Sequence, residues 1–149
     1  MITKLIPIEN VFPEIMVGAP TPMVFADEHI VKLAYYDIED DVALITFDHC
    51  FEFRMGMPGE DAISKSQYSG LGLLNFEPHV VEGSPWIDEL EKRYKVISEF
   101  SRAQRNYVHY LFAFHERTFE CIASGYEVTK LSAITVEKAL INKVCNNLQ

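Results

Sequence analysis

Residues 106–130 constrain the fold of this chain more than any other stretch. Two runs rich in Tyr, Phe, Val and Thr flank Glu116 and Arg117, and such residues favour β-strands. We therefore predict a β-hairpin with a two-residue loop at Glu116 and Arg117, which would place Phe112 opposite Cys121. This loop lacks the Gly or Asn that tight hairpin turns prefer, and a one-residue slip would exchange the two faces of the hairpin.

Side chains alternate between the two faces of a strand, so this register assigns each hairpin residue to a face. The first face is apolar and is predicted to lie in the core, and it contains Val108, Tyr110, Phe112, Phe114, Phe119, Cys121 and Ala123. The second face mixes polar and apolar side chains, and it contains Tyr107, His109, Leu111, Ala113, His115, Thr118, Glu120, Ile122 and Ser124. On that face His109, His115 and Glu120 form a candidate polar site, because His115 and Glu120 would be diagonal cross-strand neighbours able to hydrogen bond.

The first part of the chain predicts further strands. Residues 1–22 hold four of the seven prolines and are therefore predicted to be an irregular, proline-rich lead-in with room for one short strand or turn. Residues 23–36 should be extended, with a break at Asp27 and Glu28. Residues 37–41 should form a polar turn between strands, and they are the densest acidic cluster of the chain.

Residues 42–54 are predicted to form one long strand with an aromatic face and a polar face. On the aromatic face His49 would lie among phenylalanines as a hydrogen-bonded core histidine. On the other face Asp48, Glu52 and Arg54 would form a row of solvated charges. We expect the aromatic face to pack against the core face of the hairpin.

Two helices complete the predicted fold. After a glycine-rich connection over residues 55–74 and a strand over residues 73–81, Ser84 is a good N-cap and Pro85 suits the first helical position. The buried stripe of this helix should consist of Trp86, Leu90 and Tyr94. A second helix is predicted over residues 136–147. All 149 residues are thus predicted to form one α+β domain, with a mostly antiparallel, twisted β-sheet and two helices.

Cysteine usage and hydropathy indicate the compartment. The chain has three cysteines and no CxxC motif, which argues against a disulfide framework and against a zinc site. It contains no run of about 18 apolar residues and no secretory signal. We therefore expect a cytoplasmic protein that does not insert into a membrane.

The charge of the chain is unevenly distributed. The net charge is −9, but residues 1–91 contain 17 acidic and 4 basic residues, whereas residues 92–149 contain 5 acidic and 9 basic residues. An acidic body repels phosphate backbones and attracts basic proteins, so a protein partner is expected and nucleic acid is not. The alternative, that the acids only keep the chain soluble, stays open. Candidate partner-binding residues are the acids expected in exposed turns and one loop tyrosine, namely Asp37, Glu39, Asp40, Asp41, Glu60, Asp61 and Tyr68.

The residue pattern does not predict catalysis or metal binding. Cys121 would face the core while His109 and His115 face the other way, and the neighbours His49 and Cys50 point to opposite faces of a strand. His109 and His115 are six positions apart, about 20 Å along a strand, which is too far to share a metal ion. The chain has no GxSxG or HExxH motif. We therefore predict no catalytic residue, no metal site and no cofactor.

Three segments resemble a family of small bacterial proteins, most of them without an assigned function. These segments are FEFRMGMPGEDAISKSQYSGLG, GSPWIDELEKR and HYLFAFHERTFECIA, which together span about half of the chain. Some proteins of this kind resemble the immunity proteins of bacterial toxin systems, including contact-dependent growth inhibition. The resemblance implies a cytoplasmic protein that binds and neutralises a toxin domain.

The chain departs from the family pattern in the long loop. Relatives tend to have Asn-Asp-Glu and Gly-His-Pro there, whereas this chain has Gly-Glu-Asp at residues 59–61 and Lys-Ser-Gln at residues 65–67. If the missing histidine performs chemistry in relatives, this chain lacks that chemistry. The departure therefore favours binding over catalysis.

Three functions stay open at this point. The first is an immunity protein that occludes a basic nuclease toxin, with acidic side chains in place of nucleic-acid phosphates. The second is a small enzyme or ligand-binding domain that uses the face with His109, His115 and Glu120 together with the glycine-rich loop. The third is an interaction subunit without a link to a toxin.

Overall fold

The fold is seen in a computed structural model that describes residues 2–18, 22–28, 30–56, 67–94, 106–132 and 134–135. Its elements in chain order are β1 Lys4–Pro7, β2 Met23–Ala26, β3 Val31–Tyr36, β4 Asp41–Asp48, β5 Glu52–Gly56, β6 Pro78–Glu82, α1 Pro85–Tyr94, β7 Val108–Ala113, β8 Thr118–Ala123 and β9 Gly125–Ser132. The first sheet has the order β1-β6-β7-β8-β5 and the second β2-β3-β4-β9, and every pairing is antiparallel. The predicted single α+β domain is confirmed. The second predicted helix lies outside the described residues.

The central hairpin of β7 and β8 is present, but its predicted register was wrong by two residues. Phe112 lies opposite Phe119, and the Phe114 N–H donates to the Arg117 carbonyl over 3.0 Å. The turn is therefore centred one residue earlier than predicted. A shift of two residues leaves every side chain on the same face, because the side-chain period of a strand is two. The predicted division into a core face and a mixed face is thus confirmed.

Residues 42–54 do not form the single strand that was predicted. β4 ends at Asp48 in the second sheet, and β5 begins at Glu52 in the first sheet. His49, at the break, has a left-handed backbone with φ of 47° and an exposed side chain, so its predicted place in the core was wrong. Its Nδ1 lies 3.2 Å from the Ser124 Oγ. Ser124 marks the crossing from β8 to β9, so the chain changes sheets twice at adjacent points.

The main core lies between the two sheets. It combines the first face of the hairpin with alternate residues of β3 and β4, of which the β4 face was predicted to pack there. Its strand members include Leu33, Tyr35, Ala43, Ile45, Phe47, Tyr110, Phe112 and Phe119. Phe112 is fully buried and its ring lies 5.1 Å from the ring of Phe12 and 6.0 Å from that of Phe47, measured between centroids. Aromatic pairs at these distances add to the free energy of burial.

The outer face of the first sheet is covered by two smaller clusters. In one, α1 packs Trp86, Ile87 and Leu90 against the sheet. The predicted cap of this helix is confirmed, because the Ile87 N–H donates to Ser84 Oγ over 3.2 Å and the helix begins at Pro85. In the other cluster Tyr68 packs against β1, β6 and β7, among Leu5, Val81, Leu111 and Ala113. The polar residues of the mixed face lie between these clusters.

We predict that Phe112→Ala lowers the free energy of unfolding by about 3–5 kcal/mol, because it removes a fully buried ring from a close-packed core. Urea denaturation would measure the change. Phe53→Ala is the matched control, since Phe53 is 41% exposed on β5, and it should cost about 1 kcal/mol or less. Equal effects of the two substitutions would contradict the packing of this core.

Candidate functional site

The candidate site is a network of ion pairs and hydrogen bonds around the buried Glu120, on the outer face of the first sheet; we call it the buried network after its centre. Glu120 on β8 lies opposite Leu111, so His109 on β7 is its diagonal neighbour. His109 Nε2 lies 2.8 Å from Glu120 Oε1, and the two residues are only 1% and 6% exposed. The predicted contact between His115 and Glu120 was wrong, because the two-residue shift in register moves His115 to the exposed hairpin tip, where it pairs with Glu116.

Three donors compensate the buried charge of Glu120. Arg54 Nε donates to Oε2 over 2.7 Å, while His109 Nε2 and the Tyr68 hydroxyl donate to Oε1. Burial by itself raises the pKa of Glu120, but the hydrogen bonds from His109, Arg54 and Tyr68 outweigh burial and lower the pKa to about 2. Burial and the charge of Glu120 raise the pKa of Tyr68 well above its usual value, so Tyr68 acts as a hydroxyl donor.

Ser84 extends the network to the start of α1. Its Oγ lies 2.7 Å from His109 Nδ1 and also accepts the Ile87 N–H. Since His109 Nε2 donates to a carboxylate, the Nδ1 of a neutral imidazole accepts a hydrogen bond from the Ser84 hydroxyl. The sequence indicated Ser84 only as a helix cap and did not indicate this second bond.

Ser84, His109 and Glu120 supply a hydroxyl, an imidazole and a carboxylate in the order found in serine hydrolases, where the serine is the nucleophile and the histidine is its base. The surroundings differ from those of a nucleophile, because Ser84 is only 4% exposed and its oxygen is engaged by the helix cap. What the three residues do physically is join α1, β7 and β8 through buried hydrogen bonds. His109 is fixed at both ring nitrogens, which sets the position of its ring against Trp86, 5.2 Å away between centroids.

Arg54 and Glu52 belong to this site, although the sequence placed them in a row of solvated charges. The guanidinium carbon of Arg54 lies 4.2 Å from the centroid of the Trp86 ring, a cation–π contact. Glu52 Oε2 accepts the Trp86 Nε1–H over 3.1 Å, and Glu52 Oε1 pairs with Arg93 over 3.3 Å. The edge strand β5 is therefore tied to α1. Asp48, the third member of the predicted row, is exposed as expected.

A pocket of about 230 Å³ opens above the network. We call it the Arg54–Trp86 pocket, and its lining includes Arg54, Tyr68, Leu71, Trp86, Glu89 and His109. A cation, a carboxylate, two aromatic rings and an apolar side chain thus converge in a concave site, which is typical of small-ligand pockets. Its volume suits a ligand smaller than a typical drug.

The acidic turn that was predicted as a docking surface is largely compensated within the chain. Asp37 is only 1% exposed, so its predicted exposure was wrong, and its Oδ1 accepts the N–H groups of Glu39 and Asp41 over 2.9 and 3.1 Å. Lys130 Nζ lies 3.2 Å from Asp37 and 3.7 Å from Asp41, and it also pairs with Glu39. The sequence missed Lys130 because it did not predict the pairing of β9 with β4.

The other residues predicted to contact a partner differ in their exposure. Asp40 is exposed, and it forms no ion pair within the part of the chain that the structure describes. Tyr68 is only 5% exposed and bonded to Glu120, so its predicted role as an exposed contact was wrong. Glu60 and Asp61 lie outside the described residues. Asp37, Glu39 and Asp41 could ligate a cation by their spacing, but the ammonium group of Lys130 already lies beside them.

Cys121 faces the core, as predicted, on the opposite side of the sheet from His109. Burial raises the pKa of the Cys121 thiol well above its usual value, so this thiol stays protonated and unreactive. Among the residues described, no helix has the length and apolar character needed to cross a bilayer.

No protein-family model, curated protein or solved structure matches this chain. The resemblance to immunity proteins therefore rests on the three sequence segments alone. Those segments supply every member of the buried network, which consists of Arg54, Tyr68, Ser84, Trp86, His109 and Glu120. The segments on which the resemblance rests thus meet in space at one site.

His79 is a second buried titratable residue, and the sequence did not single it out. It lies on β6, is fully buried, and accepts the Leu74 N–H at Nε2 over 3.0 Å. Burial lowers its pKa to about 4, which outweighs the opposite effect of nearby carbonyl groups of Glu77 and Leu111. Burial therefore favours the neutral imidazole in the folded chain.

We predict that the protein loses stability in two acid ranges. The unfolded chain protonates His79 below the ordinary histidine pKa of 6.5, but the folded chain does so only below about 4, so stability falls as the pH drops from 6.5 to 4, by on the order of 3 kcal/mol. The ionised Glu120 stabilises the folded chain when the pH is above the ordinary glutamate pKa of 4.5. This stabilisation is lost as the pH falls from 4.5 to about 2. Urea denaturation at several pH values measures both ranges.

His79→Gln separates the two effects, because glutamine keeps an acceptor for Leu74 and does not titrate. This variant should show a flat stability between pH 6.5 and 4.5 and retain the loss below 4.5. His115→Gln at the exposed hairpin tip is the control and should keep both ranges. A loss between pH 6.5 and 4.5 that persists in His79→Gln would show that a group other than His79 is responsible.

Proposed function

We propose that this chain is a cytoplasmic binding protein that neutralises a basic toxin domain, such as a nuclease. It would do so by binding the toxin directly and occluding the toxin active site. The proposal combines the resemblance to immunity proteins with the charge of the surface. The observation that supports it most is the acidic character of residues 1–91, with 17 acidic and 4 basic residues.

Part of this negative charge is exposed to solvent. Glu9, Glu14 and Asp40 are exposed, and a backbone contact joins their segments, since the Ile38 N–H donates to the Glu14 carbonyl over 3.1 Å. A negative field of this kind speeds the encounter with a basic partner and disfavours nucleic acid. In the complex, carboxylates would take the positions that nucleic-acid phosphates occupy on the toxin.

The buried network supports binding rather than catalysis. Glu120, His109 and Ser84 already use their polar atoms in hydrogen bonds within the chain, so a substrate would have to displace those bonds to reach them. Breaking a buried ion pair costs several kcal/mol, about 3–5 in typical cases. The network instead holds α1 and the hairpin in fixed positions, which gives a partner a rigid surface.

The test uses the genes that flank this one in its native genome. Each flanking product is expressed alone in a host that lacks this chain, and one of them should arrest growth. Co-expression of this chain should restore growth, because the complex blocks the toxin active site. Growth is measured as colony counts after induction.

The rescue needs a control for non-specific effects. Co-expression of the destabilised Phe112→Ala chain should rescue less well at the same expression level, since less of it is folded. If no flanking product arrests growth, or if this chain leaves the arrest unchanged, the proposed function is wrong.

The Arg54–Trp86 pocket favours a second candidate function, the binding of a small planar anion. Arg54 supplies a positive charge held in place by Glu120, and Trp86 supplies an aromatic wall beside it. A planar carboxylate could pair with the guanidinium at the mouth of the pocket. Such a ligand would be a small molecule rather than a protein.

Trp86 is the only tryptophan, so its fluorescence reports directly on this pocket. We predict that benzoate, as a probe for this second function, changes the emission of the protein in a saturable way, and that Arg54→Lys weakens the effect because lysine lacks the planar fork. Fluorescence titration measures both. A linear, equal response of the two proteins would exclude the pocket as a site for planar carboxylates.

A further inference from the structure

A groove of about 340 Å³ lies between the lead-in and the segment before β6. Three glutamates, two phenylalanines and two isoleucines account for much of its lining, namely Glu9, Glu14, Glu77, Phe12, Phe76, Ile8 and Ile15. We call it the glutamate groove. It is separate from the Arg54–Trp86 pocket, with which it shares no lining residue.

The walls of the glutamate groove are anchored to both sheets. The Ile8 N–H donates to the Pro78 carbonyl over 2.9 Å, which fixes the lead-in to the start of β6. The Tyr35 hydroxyl donates to the Pro13 carbonyl over 2.7 Å, and Phe12 packs on Phe112 in the core. The groove is therefore preformed, so a ligand would lose little free energy to the ordering of its walls.

The charge of the glutamate groove is not compensated within the described part of the chain. No basic residue lines it, and no salt bridge there involves Glu9, Glu14 or Glu77. The acidic turn differs in this respect, because Lys130 compensates it. The groove therefore offers the stronger attraction for an external cation.

Apolar side chains beside the glutamate groove point to a protein as the partner. Val11 and Ile38 are 48% and 56% exposed. Val11 belongs to the same lead-in as Phe12, and Ile38 is hydrogen bonded through its N–H to Glu14. Exposed apolar residues next to charged ones are typical of protein interfaces, whereas a small cation would need no such surface.

We propose that the glutamate groove is the docking site for a basic protein, which inserts an arginine or lysine side chain between the carboxylates. The aliphatic part of that side chain packs against Phe12 and Phe76, and its charged head meets Glu9, Glu14 and Glu77. Arginine suits the groove best, since its planar group pairs with carboxylates and stacks on aromatic rings. This inference rests on the proposed function and names the surface through which it acts.

The first experiment uses a fluorescent octa-arginine peptide as a probe and compares two charge-reversed double variants. The groove variant is Glu9→Lys with Glu14→Lys. The control is Glu28→Lys with Glu127→Lys, which changes the net charge equally at exposed positions away from the groove. We expect the groove variant to lower the peptide affinity about tenfold more than the control. Equal losses in the two variants would mean that net charge alone attracts the peptide and would overturn the inference.

The second experiment measures association with the toxin identified by growth rescue, at low and at physiological salt. The groove variant should associate about tenfold more slowly at low salt, and the control should stay within about twofold of the unmodified chain. Glu14→Gln, a milder change, should slow association to a smaller extent, and circular dichroism confirms that each variant is folded.

The outcomes distinguish a wrong docking site from a wrong proposed function. If the unmodified chain rescues growth but the groove variant associates at the unmodified rate, the docking site is wrong and the proposed function stands. If the unmodified chain rescues no flanking product, the proposed function fails, and the groove is then judged by the peptide experiment alone.

Discussion

The buried carboxylate of Glu120 is the interaction on which the outer face of this protein depends. An isolated charge in that position would be very unfavourable, and the structure compensates it with a guanidinium, an imidazole and a phenol hydroxyl. These donors come from β5, from β7 and from the segment that precedes β6. Because each donor has to be in place at once, the carboxylate fixes the relative positions of elements far apart in the sequence.

Two crossings between sheets determine which surfaces are available for function. At His49 and at Ser124 the chain leaves one sheet for the other, and the Ser124 N–H donates to the Asp48 carbonyl over 2.9 Å where the crossings meet. The first crossing takes Arg54 to the outer face beside α1, and the second takes Lys130 to the acidic turn. The two changes of sheet thus bring Arg54 to the buried network and Lys130 to the carboxylates of the acidic turn.

Acidic residues in this chain have different roles in different places. Asp37 is a buried turn residue paired with Lys130, Glu120 is the centre of the network, and Glu9 and Glu14 are exposed without a partner cation among the described residues. Net charge alone does not distinguish these roles. Among the exposed acids that form no ion pair within the described residues, Glu9 and Glu14 lie on the lead-in, whereas Asp40 lies in the acidic turn.

The sequence by itself determined the features that depend on local periodicity and local chemistry. The two faces of the hairpin follow from a period of two, the start of α1 follows from Ser84 and Pro85, and both were correct. Tertiary structure decided what depends on register and on long-range pairing: that Glu120 meets His109 rather than His115, and that Arg54 and Lys130 are ion-paired. The physical reason is that a shift of two residues preserves every face while it changes every cross-strand neighbour, and sheet membership is set by contacts that no local pattern records.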